Sequence, residues 1–384
     1  MQITLLDYGA GNVRSVRNAI RKLGFSVQDV QSPEDILTAE KLIFPGVGSV
    51  GLVMTRLQEK GDIAPLKQRI AENKPLLGIC VALQALYEGS EESPGVAGLG
   101  IIPGQVIRFS DRALSVPQIG WNNVKLKKNS PLMNGYENEK LYFVHSYHAQ
   151  LGTTGKEWLL AVTDYGTEFV SAVEKGNVSA FQFHPEKSGK AGLRILENYL
   201  AKRTDESLIV TSQLPEKIIE TKIAKRIIAC LDVRSNDHGD LVVTKGDQYD
   251  VRHDGEVRNL GKPVELARRY YEEGADEITF LNITGFRDYP LQDQPMLEVL
   301  EKTSENVFVP LTIGGGIREF TDSSGTTSTS LDVASAYFRS GADKVSIGSD
   351  AVYTVEEYLK TGIKTGRSSI EQISIVYVAQ AVVI

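Results

Sequence analysis

Five continuous apolar runs in the second half of the chain restrict its possible folds more than any other feature. They are Ile227-Ile-Ala-Cys-Leu-Asp-Val233, Glu277-Ile-Thr-Phe-Leu-Asn282, Val307-Phe-Val-Pro-Leu-Thr-Ile313, Lys344-Val-Ser-Ile347 and Ala381-Val-Val-Ile384. Runs that lack polar–apolar alternation are strands covered on both faces, as in a parallel sheet. Helical stretches separate them at Pro263 to Glu273, Pro295 to Thr303, Leu331 to Arg339 and Thr354 to Leu359. Such strand–helix repeats predict a TIM-type barrel, with its chemistry at the strand C-terminal ends. Asp232 ends the first run and is a candidate acid or base there. Gly314-Gly-Gly316 follows the third run and Gly348-Ser-Asp350 the fourth. Two glycine loops on neighbouring strands can present N–H groups to a phosphate, and Ser349 adds a hydroxyl. Lys245 could approach a second anionic group, while Cys230 is expected to face the barrel wall.

The first two hundred residues follow a different rhythm. Short strands at Ile3 to Leu6, Lys41 to Phe44, Leu76-Leu77, Phe143-Val144 and Ala180 to Phe183 alternate with helical stretches such as Val13 to Leu23 and Leu193 to Ala201. That alternation implies an α/β sheet with ligands at the strand ends. In Gly78-Ile-Cys-Val-Ala82 a strand turns sharply into a helix with Cys80 at the apex. Small neighbours relieve crowding at such an elbow, and a helix N-terminus favours a thiolate. On residue type alone a cysteine is more often a core thiol. Two further pieces favour a nucleophile. Pro45-Gly-Val-Gly48 can aim the N–H groups of Gly46, Val47 and Gly48 at a developing oxyanion. His184 and Glu186 lie two residues apart in an extended segment, on one side, so Glu186 can hold an imidazole that deprotonates Cys80.

Composition removes several alternatives. A formal charge of −7 argues against a general nucleic-acid binder. Two cysteines far apart give neither a disulfide framework nor a zinc spacing, and no metal or cofactor is expected. With no signal-like or transit-like start and no eighteen-residue apolar run, a soluble intracellular protein without membrane contact is expected. The polar stretch from Lys202 to Lys225 reads as a linker. The expected division is therefore residues 1–203, a linker at 204–224, and 225–384.

The quoted motifs, with Asp7-Tyr-Gly-Ala-Gly-Asn12, Gln118-Ile-Gly-Trp-Asn122 and Tyr142-Phe-Val-His-Ser-Tyr147, resemble the triad class of glutamine amidotransferases. More narrowly, they resemble the glutaminase half of imidazole glycerol phosphate synthases. Residues 226–384 resemble the cyclase half, as in the single-chain fused form of fungi and plants. The resemblance implies a flavodoxin-like class I amidotransferase domain followed by an incomplete (β/α)8 barrel of about five strands. It implies glutamine as substrate, with Cys80 attacking the carboxamide, His184 shuttling protons and Glu186 orienting His184. Gln84, Ser146 and Tyr147 would help bind glutamine, whereas His145 and His148 receive no catalytic role. Arg226, Glu277 and Lys344 match a charged ring through which ammonia would enter the barrel from a glutaminase docked on its N-terminal face. There it would meet a phosphoribulosyl-formimino aminoimidazole carboxamide ribonucleotide and yield imidazole glycerol phosphate and an aminoimidazole carboxamide ribotide, with no cofactor.

Two departures qualify this. The family usually has glycine where this chain has Ala82, so some strain is expected at the elbow. Ile384 falls in what would be the fifth of eight strands, so little cyclase activity is expected from this chain. Two other readings remain open: an amidotransferase or cysteine hydrolase serving another acceptor, and a non-catalytic regulatory fragment. The expected compartment is the cytoplasm, or a plastid.

Overall fold

The computed structural model describes residues 2–9, 11–110, 114–201, 221–244, 252–253, 256–284 and 291–384. The chain separates into two compact units, Met1–Lys225 and Arg226–Ile384. Most of the expected linker, up to residue 220, lies outside the described residues, as does Lys245.

The first unit is built on one large mixed sheet. Its elements, in order, include β1 (Gln2–Leu5), α1 (Val13–Lys22), β2 (Ser26–Asp29), α2 (Pro33–Thr38), β3 (Leu42–Phe44), α3 (Val50–Lys60), α4 (Ile63–Ala71), β4 (Leu76–Ile79) and α5 (Val81–Ala85). After these come β5 (Gln105–Arg108), β6 (Tyr147–Gln150), β7 (Glu168–Lys175), β8 (Val178–Phe181) and α6 (Gly189–Ala201). Strands pair in the order β2-β1-β3-β4-β8-β7-β6-β5. The first five are parallel, and β7, β6 and β5 add antiparallel. Leu42–Phe44, Leu76–Ile79 and Val178–Phe181 are buried at every position, as expected of strands covered by helices on both faces.

Local chemistry sets the helix ends. The Asn12 side chain accepts from Ser15 N–H at the start of α1, and Ser49 does the same for Leu52 N–H at α3. Arg69, wholly buried in α4, donates to the carbonyls of Ile36, Ala39 and Pro75 at 2.7, 2.8 and 2.6 Å. It thereby ties the end of α2 to the start of β4, and all its acceptors are neutral. The β4–β8 ladder sets Gly78 against Ala180 and Ile79 against Phe181. Chain leaving β4 at Cys80 and chain leaving β8 at Gln182 therefore emerge side by side. That register builds the site.

The second unit contains β9 (Ile228–Ser235), β10 (Leu241–Thr244), α7 (Pro263–Glu272), β11 (Glu277–Asn282), α8 (Pro295–Ser304), β12 (Leu311–Gly314), α9 (Ser330–Ser340), β13 (Lys344–Ser346), α10 (Ser349–Thr361), α11 (Ser369–Tyr377) and β14 (Val382–Val383). Its sheet runs β10-β9-β11-β12-β13-β14, with β10 antiparallel and the other five parallel. Successive parallel strands lie side by side with helices between them, the progression of a (β/α) barrel. Two expectations need correction. Asp232 does not end its strand, because pairing with β10 carries β9 three residues further, to Ser235. Cys230 lies in β9, as a wall residue would, but its thiol is exposed and not packed away.

Candidate active sites

Cys80 sits between β4 and α5 with φ 53° and ψ −107°. A non-glycine residue in that region is strained and is held there by its surroundings. Its N–H donates to Phe181 O at 2.6 Å, which pins the elbow to β8. Gly78 supplies the necessary space: a Cβ there would lie 3.2 Å from the Cβ of Ala82 and 3.0 Å from that of Ala180. Ala82 is therefore accommodated, and the sharp turn at Cys80 is present. The helix that follows is only five residues long, so its dipole acts weakly on the thiol.

His184 and Glu186 come together by a different route from the one expected. Pro185–Lys187 forms a 3-10 turn and not an extended segment. The turn still brings His184 Nδ1 to Glu186 Oε1 at 2.7 Å, both side chains being buried. Because a carboxylate accepts, Nδ1 carries the proton and Nε2 is left for the thiol side. Burial alone would lower the His184 pKa. The charge on Cys80 and then that on Glu186 outweigh burial and raise it well above the ordinary value. A thiol, an imidazole and a carboxylate in this order can form a thiolate–imidazolium pair.

The Pro45–Gly48 loop packs directly on the elbow. A Cβ at Gly46 would fall 2.3 Å from Ile79 O and 2.7 Å from Ala82 N, so only glycine fits. Val47, however, does not offer its N–H as expected. That N–H donates to Tyr8 Oη at 2.8 Å, while the Tyr8 hydroxyl donates to Val47 O at 2.7 Å. Burial raises the Tyr8 pKa, which keeps the hydroxyl protonated for this double role. Among the described residues the N–H groups of Gly48 and Val81 have no such partner, which leaves both available to an acceptor. Val81 was missed from sequence, although the residue after a nucleophile at a helix start has an orphan N–H by construction.

Gln84 is buried, and both hydrogens of its Nε2 are occupied: one by Tyr147 O at 2.9 Å, the other by Gln182 Oε1 at 3.0 Å. Only its oxygen remains to face a ligand. Tyr147 thus contributes a carbonyl, and Ser146 lies beside it, its own carbonyl accepting from Phe109 N–H. His145 Nδ1 also contacts Tyr147 O, at 2.7 Å. Burial lowers the His145 pKa to about 3, so the ring is neutral and unsuited to proton transfer. A second residue missed from sequence is Glu92, whose pKa burial raises to about 7 while Val50 N–H opposes the rise. Its carboxyl interacts electrostatically with Tyr147, so it borders the same region as Gln84. Folded Glu92 keeps a proton that the unfolded chain gives up, so stability falls as pH rises from the ordinary carboxylate range to about 7. Glu92→Gln should therefore raise stability by about 2 kcal/mol at pH 8 and leave it unchanged at pH 4, read by urea denaturation.

In the second unit, Gly316, Gly348 and Ser349 do come together. They line a cavity of about 280 Å³ with Gly314, Gly315 and Arg318 at the ends of β12 and β13. Arg318 is a cation the sequence reading passed over, and it suits an anionic ligand. Asp232 lies beside Leu281 and Thr244 in the sheet ladders. At the opposite, N-terminal strand ends, Glu277 pairs with Lys344 Nζ through Oε1 and lies 3.7 Å from Arg226 through Oε2. Thr312 Oγ1 donates to Glu277 Oε1 at 2.7 Å. Burial lowers the Lys344 pKa, and Glu277 opposes the shift. The three expected ring residues therefore form one cluster, buried at Glu277 and Lys344.

Among the described residues, no group of three or more His, Cys, Asp or Glu could hold a metal, and no helix is long and apolar enough to cross a membrane. Residues 4–202 match the family described as Glutamine amidotransferase class-I, and residues 226–373 match Histidine biosynthesis protein. Over its whole length the chain is 57% identical to Imidazole glycerol phosphate synthase hisHF, chloroplastic, of Arabidopsis thaliana, and covers 64% of that protein. It is 52% identical to Imidazole glycerol phosphate synthase hisHF of Schizosaccharomyces pombe, again over the whole chain, and covers 73% of it. About half of the chain, 52%, is 45% identical to Imidazole glycerol phosphate synthase subunit HisH of Methanothermobacter thermautotrophicus and covers 97% of it. The chain thus spans 64% and 73% of the lengths of these two hisHF relatives.

Proposed function

Because the chain belongs to the hisHF imidazole glycerol phosphate synthase family, which joins a class I amidotransferase to a histidine-biosynthesis region, we propose that its first unit hydrolyses glutamine to supply ammonia. The Cys80 thiolate attacks the carboxamide carbon and forms a C–S bond as the carbonyl oxygen becomes an oxyanion. The N–H groups of Gly48 and Val81 receive that charge. The His184 imidazolium gives its proton to the amide nitrogen, the C–N bond breaks, and ammonia leaves. Neutral His184 then takes a proton from water, the hydroxide attacks the thioester, and glutamate departs as the thiolate reforms. Glu186 holds the ring through Nδ1 throughout, Gln84 Oε1 accepts from the substrate, and Ser146 and Tyr147 border its pocket. The observation that carries this reading is the buried His184–Glu186 contact of 2.7 Å beside a strained Cys80.

The second unit is the acceptor side. Ammonia would enter past Arg226, Glu277 and Lys344. The Gly314–Gly316 and Gly348–Ser349 loops, with Arg318, would hold one phosphate of the phosphoribulosyl-formimino aminoimidazole carboxamide ribonucleotide. Lys245 would serve its second anionic group, and Asp232 would act as acid or base in closing the imidazole ring. A free nucleophilic thiol suits a reducing compartment, the cytoplasm or the plastid indicated by the name of the Arabidopsis relative. The test is glutamine hydrolysis by purified 1–384, followed as ammonia and glutamate, with and without that nucleotide. Release that the nucleotide stimulates is expected. A folded sample that releases no ammonia, and whose Cys80 ignores a glutamine-analogue electrophile, would overturn the proposal.

A further inference from the structure

We infer that Gln182 is a further catalytic residue of the thiol site, donating its side-chain N–H to Cys80 Sγ and holding negative charge there. The contact is 3.5 Å from Nε2 to Sγ, an ordinary length for an acceptor as large as sulfur. Gln182 is wholly buried, and its own N–H donates to Ser171 O at 2.9 Å, which fixes where the side chain starts.

An amide can be placed either way round, so the argument rests on what sets its direction. Tyr147 O is a backbone carbonyl and can only accept. Gln84 must therefore turn its NH2 toward it, at 2.9 Å. The second hydrogen of that NH2 points to Gln182, whose oxygen must face it, at 3.0 Å. The NH2 of Gln182 is then the end left for the sulfur. A reversed Gln182 would set two NH2 groups against each other and an oxygen against the thiolate. Gln84 is accordingly a positioning residue, acting on the nucleophile through Gln182.

Buried hydrogen bonds to a charged acceptor are stronger than neutral ones. His184 and Tyr8 also interact electrostatically with Cys80. His184 alternates between charged and neutral during turnover, and Tyr8 Oη is engaged with Val47. Gln182 keeps a donor on the sulfur in every step, including the one in which thiolate leaves the thioester. Only that last consequence rests on the glutaminase reading.

The experiment measures Cys80 alkylation by iodoacetamide across pH, in a Cys230→Ser background because Cys230 is an exposed thiol. Gln182→Met keeps the volume and removes the donor, and Gln182→Glu sets a carboxylate beside the sulfur. For Gln182→Met the rate at neutral pH should fall about tenfold and recover only at alkaline pH. Gln182→Glu should move the curve further, Gln84→Met part of the way, and Gln182→His, which keeps an N–H donor, least. In glutamine hydrolysis by Gln182→Met the loss should appear in kcat and not in KM. Superposable alkylation curves for the parent and Gln182→Met would overturn the inference. Should Gln182→Met fail to fold, equal curves for Gln182→Glu and Gln182→His would do the same. Alkylation requires no turnover, so a parent that alkylates normally but releases no ammonia would refute the glutaminase reading alone.

Discussion

Cys80→Ser is expected to lower glutamine hydrolysis by about 10⁴-fold or more while leaving the fold intact. The substitution is nearly isosteric, and the 2.6 Å bond from the residue 80 N–H to Phe181 O does not involve the side chain. What changes is ionisation. A serine hydroxyl does not release its proton to the raised-pKa imidazole of His184, so the ion pair that arms the site is never formed. Ammonia release reads the loss directly, and circular dichroism should superpose on that of the parent. A Cys80→Ser protein that hydrolysed glutamine at even a hundredth of the parent rate would remove Cys80 from the chemistry.

Gly46→Ala should damage both stability and rate, for a steric reason. The added methyl would sit 2.3 Å from Ile79 O, 2.6 Å from Val81 Cγ1 and 2.7 Å from Ala82 N. Two of these atoms are backbone, and β4 is paired on both sides, so neither can move aside cheaply. Overpacking of this kind costs about 3 kcal/mol, visible as a lowered unfolding midpoint. The loop that carries Gly48 would also shift, and displacement by about 1 Å costs on the order of a hundredfold in rate. A normal midpoint with a normal rate would mean that the loop does not rest on the elbow.

How much of this was legible in the sequence depended on distance along the chain. The barrel-type strands could be read because five apolar runs need no partner to declare themselves. His184 and Glu186 were legible as a pair because they stand only two positions apart, although the 3-10 turn that joins them was not, since Pro185 suits an extended segment equally well. Asp232 was misjudged as a strand end because β10, which prolongs its strand, is a short run between masking polar residues. The fate of the Val47 N–H was invisible: it depends on Tyr8, distant in sequence and brought near by the β1–β3 pairing. Glu92 and Val81 lie in plain sight, but nothing in a sequence reports burial of one carboxyl or the orphaning of one N–H.

The Tyr147 carbonyl has a consequence that goes beyond any single bond. A carboxamide turned over by half a rotation keeps nearly the same shape, so packing alone cannot choose between the arrangements open to Gln84 and Gln182. A core made only of well-fitting amides would be degenerate, with the nucleophile facing a donor in some molecules and a lone pair in others. One fixed backbone oxygen breaks that symmetry at the first amide, and each amide passes the choice to the next. The strand that supplies Tyr147 thus sets the polarity of a site whose sulfur it never touches.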